Sequence, residues 1–553
     1  MKINLQFINR LGNWLEIQLK NKKTFLLVFG AILLVGIFLR TYNHRQWLYF
    51  DDDQANDAII VDNYIQGKTA LPELGPNMGN TKFRLGPMFY YFQITSAKFF
   101  NSTYPDVLAY PDLLFSILTI PLFYYFLKRY FSSNLSLALT GLYTISYFAL
   151  KFSRFAWNTN SMPFFILLFL LALLEFLKNR EKTKWFWAVA LGIAVGVGVQ
   201  LHAMLLVIFP LMCLAVLIFT IKSGWKVWLK WLAVIFLALL LNGGLIKHEF
   251  AHNFKNTHYF FKNAEDRSGS RAGSFVKTLA LDVACHAQAN TYILTTLGNK
   301  DNCNFLDKNV NFGNDRHHFK FLDDPVLAIT ILISLLFSSG GYFFLFKRFR
   351  NEKSLKKKYF LGLVILYSAL FFVIMIPSIK DAPLRYFLPI FFLPYLFLGI
   401  MVEKINKKIM PKYSFFVIAS VFSIIVATNV VYLSSIAWQL ENKTRSGSGD
   451  VILGELETMR DYIIASSAPQ KEAYFLGDSH YIFRFYRPMQ YLAAKDGFKI
   501  SRTGRVSRMK HGEPVFYIYK SFPGRQVNEV NGMPILNYRN FGQVAIYEVT
   551  MTK

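Results

Sequence analysis

The sequence predicts a mainly α, polytopic membrane protein of about eleven transmembrane helices, with a small α/β domain outside the membrane at its C-terminal end. Three observations predict it. Apolar runs long enough to cross a bilayer, which takes about 20 residues, recur along the chain. The composition is 53% hydrophobic and 17% aromatic, with 56 Phe and a mean hydropathy of +0.29, too apolar for an ordinary water-soluble enzyme. Short Lys/Arg-rich loops also recur in step with the runs, as they do when one side of a membrane keeps the positive charge.

In chain order, residues 1–23 form a basic, amphipathic segment expected on the cytoplasmic face. Spans follow at 24–39, 108–127, 135–150, 161–177, 185–199, 203–221, 227–246, 326–346, 359–377, 386–402 and 414–435. The loops 128–130, 178–184, 222–226, 347–358 and 404–412 are all basic, and all fall on one side if the N-terminus is cytoplasmic. The other side then receives 40–107, 151–160, 247–324, 378–385 and everything after 435. The membrane part is expected over 24–435, with large outer loops at 40–107 and 247–324. A linker at 436–449 carries most of the Gly/Ser-containing joint 441–450, and an outer α/β domain occupies 450–553. In that domain 451–466 reads as helix, and 473–476, 515–519 and 544–549 read as strands. The first span lacks a small-residue cleavage site and reads as a retained anchor in the cell membrane. No internal repeat is seen, which weighs against an inverted-repeat transporter.

The formal charge of +27 raises nucleic acid as a partner. In a membrane protein, basic loops absorb much of that charge and lipid phosphates are the fitting anions, so no nucleic acid is expected. Of the three cysteines, Cys213 lies in an apolar run and reads as packing. Cys285 and Cys303 share one outer loop and can pair if it faces an oxidising space.

The stretch 49–65, YFDDDQANDAIIVDNYI, gathers Asp51, Asp52, Asp53, Asp57 and Asp62 just beyond the first span. A helix starting near Asp53 sets Asp53 and Asp57 one turn apart, which is unfavourable without a compensating cation. Such a cluster suits metal binding or proton abstraction; it equally suits an acidic helix start, where Asp caps. A Gly/Pro-broken segment follows, with Lys82 and Arg84 before an aromatic run at 89–92 that reads as interfacial. Arg154, Asn158 and Asn160 sit at the outer end of a span. Gln200 and His202 share a tight outer turn. His248, Glu249, His252 and Asn256 lie in one segment, the two His one helical turn apart, though the order is not that of a zinc-protease HExxH. Arg385 stands at a membrane entrance behind Lys380. For each group the plainer reading is boundary anchoring or a satisfied structural contact. Few ionisable residues fall at span centres; the polar groups cluster at outer ends.

One chemistry suits these parts. A polyprenyl-phosphate sugar needs a groove between spans for its tail and cations at the outer boundary for its phosphate. Phosphate leaves readily once its charge is held. A carboxylate then takes the acceptor's proton as it attacks the anomeric carbon, inverting it.

The motifs FDDDQANDA, RLGPMFYY (where relatives often have His-Pro-Pro), SRFAWNTN, VQLHAML, IKHEFAHNFKNT and RYFLP resemble those of the GT-C superfamily of membrane glycosyltransferases. Within it the chain is most similar to family 39, the bacterial relatives of protein mannosyltransferases and of the lipid A aminoarabinose transferase. The resemblance implies a lipid-phosphate sugar donor, a lipid, glycan or protein acceptor, and transfer outside the cytoplasmic face. It aligns the family's acidic pair with Asp52 as base and Asp53 as helper or metal ligand, with Asp51 leaving the register open by one. It implies donor-phosphate contacts at Arg84, Arg154, Arg385 and Lys82, and substrate contacts at Asn158, Gln200, His202, His248 and Glu249. A divalent Mg or Mn ion at Asp53 is a possible cofactor. Relatives carry a second Asp where this chain has Asn158 or Asn160, a weaker ligand. Two other classes stay open: a transporter or flippase of lipid-linked glycans, and an assembly protein that kept the scaffold without catalysis.

Overall fold

The structure, a computed structural model, describes residues 21–79, 81–220, 222–269, 275–298, 325–408, 411–442, 451–502, 513–522, 527–542 and 544–550. Most of the basic N-terminal segment, Cys303 and most of the 441–450 joint lie outside the described residues.

The helices of the membrane part are α1 (Lys22–Thr41), α2 (Asp52–Ile65), α3 (Met88–Phe100), α4 (Pro105–Lys128), α5 (Ser133–Ile145), α6 (Tyr147–Lys151), α7 (Met162–Asn179), α8 (Trp185–Leu201), α9 (Ala203–Thr220), α10 (Trp225–Leu241), α11 (Gly243–Ala251), α12 (Lys255–Gly269), α13 (Phe275–Thr295), α14 (Pro325–Asn351), α15 (Leu355–Met375), α16 (Leu393–Lys408) and α17 (Pro411–Glu441). Each apolar run is helical. Among the described residues seven helices are long and apolar enough to cross a membrane: α1, α4, α7, α9, α14, α15 and α17. Two further runs are bent. α10 meets α11 at 65°, and a 3-10 helix, Leu384–Ile390, meets α16 at 58°. α8 is an apolar helix of 17 residues. The run at 135–150 breaks at Ser146, whose hydroxyl donates to the Ile293 carbonyl at 2.9 Å. The chain is therefore a multi-pass membrane protein.

α7 is central, with 78% of its apolar window buried, whereas α1 and α17 bury 11% and face outward. Close packing of α8 on α10 depends on Gly192 and Gly196, one turn apart. A Cβ at Gly192 would lie 2.8 Å from Leu237 Cβ, and one at Gly196 2.9 Å from Leu241 Cδ1. Small residues at this spacing let apolar helices approach where lipid offers no hydrophobic driving force.

The two ends of the bundle differ. At one, Arg129 and Lys178 meet Glu175 at 3.2 and 3.5 Å, Arg348 meets Glu403 at 2.9 Å, and Lys357 lies over the Tyr130 ring. The basic loops thus gather there, as the alternation of charge predicts. The other end holds α2, α3, α6, the 152–161 loop and the C-terminal unit.

Two sequence expectations change. Phe89 and Tyr90, read as interfacial, are buried at the start of α3. α13, read as part of a polar outer loop, packs against α14, α16 and α17. Its polar side chains meet polar positions on α14: His286 Nε2 lies 2.7 Å from Tyr342 Oη, and Asn290 Nδ2 donates to Ser338 Oγ at 3.2 Å. Composition alone reads such a matched polar seam as water-facing.

The C-terminal unit comprises α18 (Leu453–Ser467), β1 (Glu472–Gly477), α19 (Ser479–Lys495), β2 (Lys499–Ser501), β3 (Val515–Lys520), β4 (Glu529–Val530), β5 (Met533–Phe541) and β6 (Val544–Val549). The sheet order is β2-β1-β3-β6-β5-β4. β2 and β3 run parallel to β1; β6 pairs antiparallel with β3 and β5. This is the small α/β fold expected, with α19 added between β1 and β2.

The unit is seated on the acidic stretch. Phe50 N donates to Val451 O at 2.9 Å, and Leu453 N to Leu48 O at 2.8 Å. Arg45 pairs with Glu457 at 2.7 Å, and the rings of Phe50 and Tyr491 lie 5.9 Å apart.

Candidate functional site: an acidic helix start facing an apolar cavity

α2 begins at Asp52 with a capping box. The Asp51 carboxylate accepts from Asp53 N at 3.2 Å, while Gln54 Oε1 accepts from Asp51 N at 3.3 Å. Asp51 also accepts the Tyr49 hydroxyl. Burial pushes the Asp51 carboxyl up, and these bonds oppose the push. The acidic helix start is thus realised, with Asp51 as its cap.

The five carboxylates part company in space. Asp52 pairs with Arg487 of α19 at 2.5 Å; burial pushes it up and Arg487 pulls it back. Asp57 is buried and accepts the Tyr90 hydroxyl at 2.8 Å; burial pushes its carboxyl up to about 7. Burial also pushes Asp62 up, but Lys495 at 2.6 Å and the Thr103 hydroxyl outweigh it and hold the carboxyl below the usual range. Asp53 is exposed, and its carboxylate has no ion-pair or hydrogen-bond partner among the described residues.

Asp51 and Asp53 line a cavity of about 620 Å³. One wall is apolar, built by Phe38 and Leu39 of α1 and Leu433, Ile436 and Leu440 of α17. Since α1 and α17 are the outward-facing helices, this wall lies at the lipid side. The cavity also carries Lys151, Arg154, Arg385 and Arg484. Arg385 lies 5.0 Å from the centroid of Trp157 and 5.9 Å from that of Tyr386, with no hydrogen bond or ion pair among the described residues. Stacking of this kind orients a guanidinium and leaves its N–H groups open. Arg154 is committed: it donates to Leu39 O at 2.7 Å and to Tyr42 O at 2.5 Å, tying the 152–161 loop to the end of α1.

A buried carboxylate inside α4 holds this loop. Asp112 accepts from Trp157 N at 3.0 Å and from the Ser161 hydroxyl, so it fixes the ring on which Arg385 rests. Sequence reading missed Asp112, and the signal was available: an ionisable side chain within a span is costly and has a partner. Arg484, Arg487 and Lys151 were also missed. The first two lie 435 or so positions from their acidic neighbours, and nothing local points to the pairing.

Of the expected site residues, the cavity brings together Asp53, Arg154 and Arg385. Asp52 does not line it. Gln200 is buried, accepts from Met88 N at 3.1 Å and donates to Leu241 O at 2.9 Å, which is a helix clamp. Asn158 Nδ2 donates to Leu201 O at 2.6 Å, and Asn160 Nδ2 to Phe155 O at 2.7 Å. His202 Nδ1 accepts from Met204 N at 3.2 Å. Arg84 donates to Gly75 O at 2.8 Å and its backbone pairs with Asn256, while Lys82 lies over the Tyr259 ring. His248 stacks on His252 at 4.0 Å and faces Glu73 at 3.6 Å; Glu249 is buried beside them. These seven side chains, with Asn160, lie outside the cavity lining.

A divalent ion at Asp53 would need further donors. Asp51 is engaged by Tyr49 and the helix cap, Asn158 points its amide at Leu201, and among the described residues no three His, Cys, Asp or Glu side chains converge as a ligand group. The donor set does not fit Mg or Mn, and no step below is routed through one.

Residues 85–243 match the family model described as dolichyl-phosphate-mannose-protein mannosyltransferase. The fold is similar to that of ArnT from Cupriavidus metallidurans bound to undecaprenyl phosphate, at 12% identity and a TM-score of 0.51, over 96% of this chain and 98% of that one. The apo form of the same ArnT aligns at 12% identity and a TM-score of 0.50, over 95% and 98%. An oligosaccharyltransferase from Archaeoglobus fulgidus tethered to an acceptor peptide aligns at 12% identity and a TM-score of 0.46, over 87% of this chain and 64% of that one. No curated protein matches the chain by sequence. As its motifs imply, the chain has the GT-C fold of membrane glycosyltransferases along nearly its whole length, and over 85–243 it carries the sequence pattern of the dolichyl-phosphate-mannose-protein mannosyltransferase family.

Proposed function

We propose that this protein is an inverting glycosyltransferase that moves a sugar from a polyprenyl-phosphate donor to a hydroxyl-bearing acceptor at the outer face of the cell membrane. The N-terminus and the basic loops lie in the cytoplasm on this reading. The observation that carries it is a cavity in which a carboxylate and a guanidinium, each unpaired among the described residues, meet an apolar, lipid-side wall. The fold shared with ArnT, whose structure holds undecaprenyl phosphate, supports the choice of donor.

The prenyl tail lies along α1 and α17, where apolar surface is available at no desolvation cost. The phosphate docks against Arg385 and Lys151. As the bond to the anomeric carbon breaks, negative charge grows on the leaving phosphate, and fixed cations in a partly dehydrated site stabilise it there. Asp53 takes the proton from the acceptor hydroxyl as its oxygen attacks the opposite face of that carbon. One displacement gives inversion.

The base assignment thus moves by one from the motif alignment. Asp52 is neutralised by Arg487 and lies outside the cavity lining, while Asp53 lines it with its carboxylate open. Gln200 and Asn158 serve as structural clamps, because their side-chain amides bond backbone groups of neighbouring elements. The lipid-linked donor is tested by incubating purified protein with labelled polyprenyl-phosphate sugars. Consumption of one of them with release of polyprenyl phosphate supports the reading; inertness toward all of them, with a correctly folded sample, overturns it.

A further inference from the structure

We propose that Phe155 and Tyr49 form the subsite for the sugar ring of the donor, an aromatic platform between the cation that meets the phosphate and the carboxylate that takes the proton. This deepens the reading above and rests on it. The reaction fixes where the sugar must lie. Phosphate and attacking hydroxyl stand on opposite faces of the anomeric carbon, so the ring bearing that carbon lies between the protein partners of the two. On that reading the partners are Arg385, with Lys151, and Asp53, which share one cavity. A continuous line of contacts runs from Arg385 toward Asp53. Arg385 rests 5.0 Å from the ring centroid of Trp157. Trp157 and Phe155 lie 5.8 Å apart, their planes inclined by 27°. Phe155 and Tyr49 meet edge to face at 5.2 Å. The Tyr49 hydroxyl donates to Asp51, whose carboxylate accepts from Asp53 N at 3.2 Å. Each of these side chains lines the cavity. Trp157 already carries the guanidinium, which leaves Phe155 and Tyr49 as the rings in the middle of the line.

The chemistry of those rings suits a sugar. One face of a pyranose is made largely of C–H groups, polarised by the oxygens on the same carbons. An aromatic face presents the negative side of its quadrupole to such groups. The platform is also held in place. Arg154, the residue before Phe155, donates to Leu39 O at 2.7 Å and to Tyr42 O at 2.5 Å. Asn160 Nδ2 donates to Phe155 O at 2.7 Å, and Trp157 N donates to Asp112 at 3.0 Å. The Phe152 ring lies 6.4 Å from both Phe155 and Trp157. Chain on both sides of Phe155 is therefore tied down, and most of the ring is packed away. A surface fixed in advance loses little freedom when a ligand settles on it.

A sugar on a glycan acceptor has the same ring chemistry, and the test separates the two sources. Full-length protein in detergent is titrated with undecaprenyl phosphate and with the same lipid carrying each sugar of the labelled set. KM for the acceptor is measured separately in the transfer assay. Wild type is expected to bind one sugar-bearing lipid more tightly than undecaprenyl phosphate. F155L and F155M both remove the ring and keep an apolar side chain of similar bulk, so a folding failure in one leaves the other. Each is expected to weaken the sugar-bearing lipid about fivefold and to leave undecaprenyl phosphate at its wild-type Kd. F155Y, which keeps the ring, retains most of the affinity. Equal weakening of both lipids makes Phe155 a packing residue and overturns the proposal, as does wild-type binding of both. A rise confined to the acceptor KM gives the ring to the acceptor and overturns the donor assignment. If no sugar-bearing lipid binds wild type more tightly than undecaprenyl phosphate, the proposal also fails. If the sugar-bearing lipid depends on Phe155 yet wild type transfers no labelled sugar, the subsite stands and the reaction reading fails instead.

Discussion

The guanidinium of Arg385 rests 5.0 Å from the ring centroid of Trp157, and Trp157 in turn is held through its backbone N–H by the buried carboxylate of Asp112. A cation is thereby fixed in the cavity lining without spending any of its hydrogen bonds on the described residues.

If those N–H groups hold the donor phosphate, Arg385→Ala raises the apparent KM for the lipid donor by about 10-fold or more, because a charge-assisted hydrogen bond is worth roughly 1.5–3 kcal/mol. Arg385→Lys recovers part of this, since it restores charge without the planar fork. Steady-state kinetics against donor concentration measure it. Wild-type KM in the Ala variant removes Arg385 from the phosphate site.

The choice between adjacent carboxylates is equally direct. Asp53→Asn lowers turnover by about 10²–10⁴-fold, the contribution usual for a positioned general base. Asp52→Asn keeps most of the activity, because it removes one partner of a half-exposed ion pair with Arg487. The opposite ranking in single-turnover rates would return the base to Asp52.

Asp57 provides a test by pH. Its carboxyl, ordinarily at 3.8 when unfolded, is pushed up to about 7 in the fold by burial, with Asp53 adding to the push and Tyr90 opposing it. Between those values the folded state holds a proton that the unfolded chain has released. Stability contributed by this group is therefore complete below pH 3.8 and falls by about 1.4 kcal/mol per unit as pH rises toward 7. Asp57→Asn keeps an acceptor for the Tyr90 hydroxyl and carries no proton to lose. Its thermal midpoint in detergent, compared with wild type, gains steadily from about pH 4 to 7. Parallel midpoint curves for the two proteins would remove the burial account of Asp57.

Transfer is expected to proceed at an unchanged rate in excess EDTA, since Asp51 and Asp52 are otherwise engaged, no three ligating side chains converge among the described residues, and Arg385 and Lys151 stand in the cavity lining to meet the phosphate. Loss of activity in chelator, restored by one divalent ion, would assign a metal to the site instead.

Much of the fold was legible in the chain. Eleven apolar runs became helices because a span must satisfy its backbone internally, and hydropathy alone reports that constraint. Basic loops gathered at one end because Lys and Arg stay out of the apolar layer. The loop after the first span announced itself by its density of Asp. α13 was not legible, because its polar residues are matched by Ser338 and Tyr342 of another helix. Nor was α19, whose Pro488 lies mid-helix and whose charges answer an acidic run far away in sequence.

What the sequence determined by itself was the medium, the helical nature of the apolar runs and the acidic stretch after the first of them, because each depends on composition within a single segment; the expected eleven crossings are seven span-length helices and two bent runs among the described residues. What only the tertiary structure decided was which aspartate stands open. Asp51 became a cap, Asp52 an ion-pair partner, Asp57 a buried acid and Asp62 an anchor, while Asp53 was left facing the cavity. Five like residues within one short stretch are equivalent until distant partners arrive, since a carboxylate's chemistry is set by the charges and hydrogen bonds around it.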